Sequence, residues 1–168
     1  MIYQRLIYLC LSFLSLPFSA IAAPDNTQMA VWANEAIVAT YTYNAQNYLS
    51  RQKEIAFYFT ATGWIAYTKA LTDSKLPEAV QKNNYEVTAV ATQPPTIKMV
   101  YADHWEAVMP LLVVYKNPAY QQKQHLMVTL QFTTSPTGQG VRGFAITSLQ
   151  SAQVSPSCEC PVDKTTKL

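Results

Sequence analysis

"QKNNYEVTAVATQPP", residues 81–95, is where the chain changes its period. From Tyr85 onward apolar and polar residues alternate, the mark of a strand with one face buried, until Pro94-Pro95 stop it. Upstream, residues 23–83 carry helical spacing instead. Helices segregated ahead of strands predict an α+β fold rather than alternating βαβ units.

The helical part divides into four pieces. Asn26 or Thr27 is placed to cap a helix whose buried stripe is Trp32, Ala36, Ala39 and Tyr43. "QNYLSRQKEIAFYF" supplies a second, with Leu49, Ile55, Ala56 and Phe59 on one side. Thr60 or Thr62 caps a third that runs through Leu71 and buries Trp64, Tyr67 or Thr68, and Leu71. That leaves Tyr58 and Lys69 on its other face, open to a partner. A last short turn begins at Pro77, since proline suits the first helical turn.

Downstream, "TIKMVYADHW" and "WEAVMPLLVVYKNP" are two strands joined around Ala102-Asp103, with Pro110 at a bulge or edge. "HLMVTLQF", residues 125–132, alternates most cleanly: Leu126, Val128, Leu130 and Phe132 point one way, His125, Met127, Thr129 and Gln131 the other. "TTSPTGQG" is a turn and "VRGFAITSLQSAQV" the last strand. About four antiparallel strands, curved around the N-terminal helices, bury both amphipathic sets.

The N-terminus reads as a secretory signal. One positive charge in Met1–Arg5 precedes the apolar run Leu6–Leu16, then Pro17 and a small-x-small pair, Ala20 and Ala22. Cleavage between Ala22 and Ala23 is expected, with an uncleaved membrane anchor as the rival reading. The chain thus divides into a signal peptide at 1–22, one domain at 23–155 and a polar tail at 156–168. At 168 residues there is room for one domain. A 49% hydrophobic and 12% aromatic composition excludes a disordered chain, and a net charge of +2 without a basic block gives no footprint for nucleic acid.

Chemistry is sparse. His104, with Asp103 and Glu106 nearby, could form a metal site or acid–base pair, but a polar turn between strands is much the simpler reading. His125 falls on the polar strand face. No G-x-S-x-G or H-E-x-x-H occurs, so no catalytic, metal or cofactor residue is expected. In "SCEC", Cys158 and Cys160 lie ~6–7 Å apart on an extended chain, the upper edge of disulfide geometry. Three readings stay open: a clip between the two, a covalent link to a partner, and an incomplete soft-metal site.

Taken together, "YFTATGWIAYTKAL", "WEAVMPLLVVYKN", "GVRGFAITSLQS" and the closing "CEC" resemble the IcmL/DotI family of the Dot/Icm type IVB secretion apparatus, over roughly Trp32 to Cys160. The resemblance implies a cystatin-like, nuclear-transport-factor-two-like domain, with helices in the concave face of a four-stranded antiparallel sheet. It also implies a non-enzymatic periplasmic assembly module that binds envelope proteins of the apparatus or family relatives, forms homo- or hetero-oligomers, and has no catalytic residues to transfer. Members that build the apparatus carry a cytoplasmic segment and a spanning helix. Only Met1–Arg5 precede the apolar run here, so a soluble periplasmic relative is expected, touching membrane only through partners or an uncleaved N-terminus. Two other function classes stand beside this one: an enzyme or small-molecule binder using the cavity of the fold, and a redox-linked adaptor acting through Cys158 and Cys160.

Overall fold

Asp25, not Asn26 or Thr27, opens the first helix: its carboxylate accepts the backbone N–H of Thr27 at 3.3 Å. Helix α1, Asn26–Thr40, then buries Met29, Trp32, Ala33, Ala36, Ile37 and Thr40. Of the expected stripe Trp32 and Ala36 are buried but Ala39 is only half-buried; Met29, Ala33, Ile37 and Thr40 join instead, because α1 crosses several strands. The computed structural model describes residues 25–135 and 139–155. Ala22, Ala23, Cys158 and Cys160 lie outside the described residues, as do the whole 1–22 segment and the whole 156–168 tail.

Tyr43 is buried as expected but has left the helix. Tyr43–Asn44 form a short strand, β1, antiparallel to Glu86 and Val87. Helix α2, Tyr48–Ala56, follows, and only Ile55 of it is buried. Leu49 is 71% exposed, against expectation. The reason is that the helix stops at Ala56, so Phe59 does not share its face; a turn carries Phe59 onto the sheet instead. There the Ile146 N–H donates to the Tyr58 carbonyl at 2.7 Å and the Thr60 N–H to the Ile146 carbonyl at 2.9 Å, a parallel bridge.

Thr60 caps helix α3, Ala61–Asp73, by accepting the Gly63 N–H at 3.1 Å. Gly63 is the buried residue of α3, while Trp64 and Tyr67 are half-buried against the core. Helix α4, Leu76–Lys82, begins one residue before Pro77, after Lys75 takes a left-handed φ of 55°.

The strands are β2 (Glu86–Ala91), β3 (Thr96–Tyr101), β4 (His104–Lys116), β5 (Gln121–Thr134) and β6 (Phe144–Gln153). All pair antiparallel in the order β1-β2-β4-β5-β6, with β3 also on β4, so the sheet has six strands rather than about four. β2 and β3 lie end to end along the same edge of β4: Glu86–Ala91 face Lys116–Leu111, and Thr96–Tyr101 face Val108–His104. "TQPP" breaks what would be one long strand. Pro110 sits opposite the break, where its carbonyl accepts Thr92 N–H at 3.0 Å and its missing donor is not needed. β3 and β4 turn around Ala102-Asp103, with Asp103 at φ 58°.

The core lies between α1 and the inner sheet face, and its centre is aromatic. The Trp32 ring stands 5.0 Å from Phe132 and 5.4 Å from Phe144. Trp105, Met109, Leu111 and Val113 of β4 and Leu126, Val128, Leu130 and Phe132 of β5 complete it, so the inward set read from "HLMVTLQF" is the buried set. Large side chains thus pack the space between α1 and the sheet. The even-numbered residues of β4 take no part in that core.

Candidate functional site

Two arrangements draw together residues far apart in sequence. The first is a cleft of about 490 Å³ where the end of α1, helices α3 and α4 and the strand β6 converge. Tyr41, Tyr43 and Tyr67 line it with Leu71, Leu76 and Leu149. The 3.6-residue period of α3 brings Tyr67 and Leu71 to one side, and the departure of the chain from α1 at Tyr41 brings the other phenols in. Tyr48 and Tyr115 stand behind: the Tyr43 and Tyr48 rings are 5.6 Å apart, edge to face.

Burial pushes the phenols up. Tyr115 is raised to about 12, chiefly by desolvation and then by Tyr41. Tyr43 is raised further by desolvation, with Tyr115, Tyr67, Tyr48 and Tyr41 adding to it. Tyr67 is raised by the same burial. Every phenol is therefore neutral at physiological pH, and among the described residues no Asp, Glu, His, Cys, Lys or Arg lines the cleft. What it offers is apolar contact and hydroxyls.

The second arrangement closes the opposite end of the core. The Tyr58 hydroxyl donates to Glu35 Oε1 at 2.8 Å, and Arg142 Nη2 meets Glu35 Oε2 at 2.7 Å. Helix α1, the strap Tyr58–Thr60 and the β5–β6 turn are tied together there. Tyr58 is thus engaged inside the fold and is not left open to a partner. Lys69 is exposed and paired with Asp73 at 2.7 Å.

The residues singled out from sequence lie elsewhere. His104 sits in the β3–β4 turn, its Nδ1 3.0 Å from the Ala102 carbonyl and its ring stacked on Tyr101 at 4.1 Å. The hollow beside it measures about 60 Å³, room for water and not for a substrate. Glu106 points to the outer sheet face opposite Lys98, and Asp103 uses its backbone carbonyl to accept Thr133 Oγ1. Nothing brings these three into one site, and among the described residues no cluster of His, Cys, Asp or Glu could hold a metal. His125 lies on the outer face, half-buried, beside Leu112. Sequence reasoning missed the phenol cluster. Its signal is the repeat of tyrosines in "TYTYN", whose second member leaves the helix.

The fold and its sequence now have relatives to be compared with. A profile of the family described as "Type-IV b secretion system, inner-membrane complex component", DotI/IcmL, matches residues 15–153. The chain belongs to the DotI/IcmL family. A solved IcmL-like type IV secretion system protein from Legionella pneumophila is 62% identical, over 83% of this chain and 100% of that one, with a TM-score of 0.80. The periplasmic domain of DotI is 29% identical over 80% of this chain and all of its own, with a TM-score of 0.73. VirB8 of Agrobacterium tumefaciens shares the fold alone, at 11% identity and a TM-score of 0.55 over 82% of this chain and 99% of that one. A nuclear-transport-factor-two-like protein from Salmonella enterica does so as well, at 11% identity and 0.54 over 84% and 100%. No protein of curated function matches. The DotI/IcmL membership and the helices packed on a curled antiparallel sheet agree with the resemblance drawn from the four sequence pieces. No described helix is long and apolar enough to cross a membrane.

Proposed function

We propose that this chain is a non-enzymatic assembly module of the bacterial envelope, working through protein–protein contacts within or beside a type IVB secretion apparatus. One observation carries the reading. Trp32, Trp105, Phe132 and Phe144 pack between α1 and the sheet, and among the described residues no charged side chain lines the cleft beside Tyr67. An enzyme on this fold needs polar, titratable groups converging in that space. Family membership supports the same reading, since the family is one of inner-membrane complex components.

We place the domain in the periplasm, released by cleavage between Ala22 and Ala23, with the 1–22, 23–155 and 156–168 division given above. Cys158 and Cys160 pair there with each other or with a partner. The test is co-purification of the tagged full chain from its own host after mild cross-linking. DotI/IcmL relatives or other inner-membrane secretion components are expected to be identified by mass spectrometry; recovery of none of them under several conditions overturns the reading. The same sample reports the N-terminus: Ala23 at the start supports export and cleavage, and an intact Met1 in the membrane fraction overturns it. Non-reducing peptide mapping assigns the two thiols.

A further inference from the structure

A sheet covered on one face alternates apolar and polar residues along its strands. β4 does not. Its inward residues are buried, yet four successive outward ones, Val108, Pro110, Leu112 and Val114, are apolar too. The register sets Val90 of β2 beside Leu112, Met127 of β5 beside Pro110, and Ala152 of β6 beyond Met127. Val90 is 61% exposed, Val108, Pro110, Leu112 and Val114 are half-buried, and none of these five belongs to the buried core cluster. Strand propensity accounts for valine at outward positions but not for Pro110.

We infer that this outer sheet face is the contact between two copies of the chain, stacked sheet on sheet; the inference rests on the assembly reading above. Charge selects the occupant. The apolar middle is bounded by cross-strand pairs of opposite sign, Glu86 with Lys116 at one end and Lys98 with Glu106 at the other. Lys123, beside Val114, is left over. When two such faces stack with their strands running opposite ways, the end bearing Lys116 and Lys123 lies over the end bearing Glu106 of the second copy. Between the two ends no carboxylate falls on the face, and the one titratable side chain at its centre is His125, beside Leu112. A partner or lipid surface of single sign would instead meet a like charge at both ends. Size agrees as well. Four strand columns by the run from Glu106 to Lys116 make a face of roughly 20 by 35 Å, on the scale of the ~800 Å² per partner that specific dimers bury. Aligned sheet packing is the matching geometry.

The test is sedimentation equilibrium of the full chain across a concentration series, for the natural protein, Leu112→Lys, Val90→Lys and the control Ile65→Lys. Ile65 is also exposed but lies on α3. Circular dichroism melts accompany each, to show that the fold survives. A reversible dimer is expected, its Kd raised at least ~10-fold by either lysine on the sheet, where a charge is buried unpaired, and unmoved by Ile65→Lys. A monomer at every concentration, or a dimer indifferent to Leu112→Lys and Val90→Lys, overturns the inference. Capture of a DotI/IcmL relative, measured in parallel, separates the two readings. If Leu112→Lys is monomeric yet still captures the relative, the dimer face stands with the assembly reading. If the natural protein is monomeric and Leu112→Lys loses the relative, the face belongs to that partner and the dimer is overturned, though assembly holds. Dimerisation without any capture leaves the face standing and sinks the assembly reading.

Discussion

Gly63 lies under the carbonyl of Ile146: a Cβ at position 63 would stand 2.5 Å from that oxygen and 3.0 Å from the carbonyl of Thr147. Both atoms belong to the backbone of β6, which is paired to β5 and cannot yield cheaply. Gly63→Ala is therefore expected to destabilise the protein by about 1–3 kcal/mol, despite alanine's better helix propensity. Urea denaturation checks this, and a midpoint at or above the natural one would refute the close approach.

Trp32 and Trp64 separate by depth. Trp32 is fully buried against Phe132 and Phe144, whereas Trp64 is half-buried over Phe59 and Tyr67. Trp32→Ala is expected to cost ~3–5 kcal/mol, and Trp64→Ala roughly half of that. Trp32 Nε1 finds no acceptor among the described residues. Trp32→Phe, which removes that donor, should thus cost less than its lost volume suggests. Chemical denaturation of the three variants gives the ranking.

The phenol cluster sets the alkaline limit. Tyr43, Tyr67 and Tyr115 all have raised pKa values in the fold, Tyr115 to about 12, against an ordinary 10.0. The folded state holds the neutral form, so its advantage is complete below about pH 10. Above that the unfolded chain binds fewer protons than the folded one, and stability falls as pH rises toward about 12. Thermal melts over an alkaline pH series should show this decline, and it should be smaller in Tyr43→Phe and Tyr115→Phe than in the natural protein. Stability that does not fall between about pH 10 and about pH 12, or that falls as steeply in both variants as in the natural protein, would contradict it.

Arg142 holds a φ of 52° and an ion pair to Glu35 that is partly exposed. The pair is worth at most ~1 kcal/mol, while the left-handed backbone costs a non-glycine residue ~1–2 kcal/mol. Arg142→Gly is thus expected to leave stability unchanged or slightly raised, and Arg142→Ala to lower it. A double-mutant cycle of Tyr58→Phe with Glu35→Gln should give a coupling of ~0.5–1 kcal/mol for the hydroxyl–carboxylate bond. No coupling would mean that the two side chains do not meet in solution.

Much of this was legible in the chain. The inward set Leu126, Val128, Leu130, Phe132, Phe144 and Ile146 follows from alternation, and the Thr60 cap from hydroxyl chemistry. The turn at Ala102-Asp103 and the helix at Pro77 were placed within a residue or two. Each depends on neighbours a few positions away. Leu49 failed because its expected face assumed that α2 continues to Phe59. Tyr58 failed because its partner, Glu35, lies on another helix.

By itself, then, the sequence determined the α+β class, the order of helices before strands, the buried face of the sheet and the family, all of which rest on local period or on the order of short pieces. Only the tertiary structure decided that "TQPP" splits one edge strand in two, that Tyr58–Thr60 is strapped to Ile146, and that the tyrosines of "TYTYN" join Tyr67 and Tyr115 around an uncharged cleft. Those contacts link residues tens of positions apart. Periodicity shows that a residue is buried, but only packing decides against what.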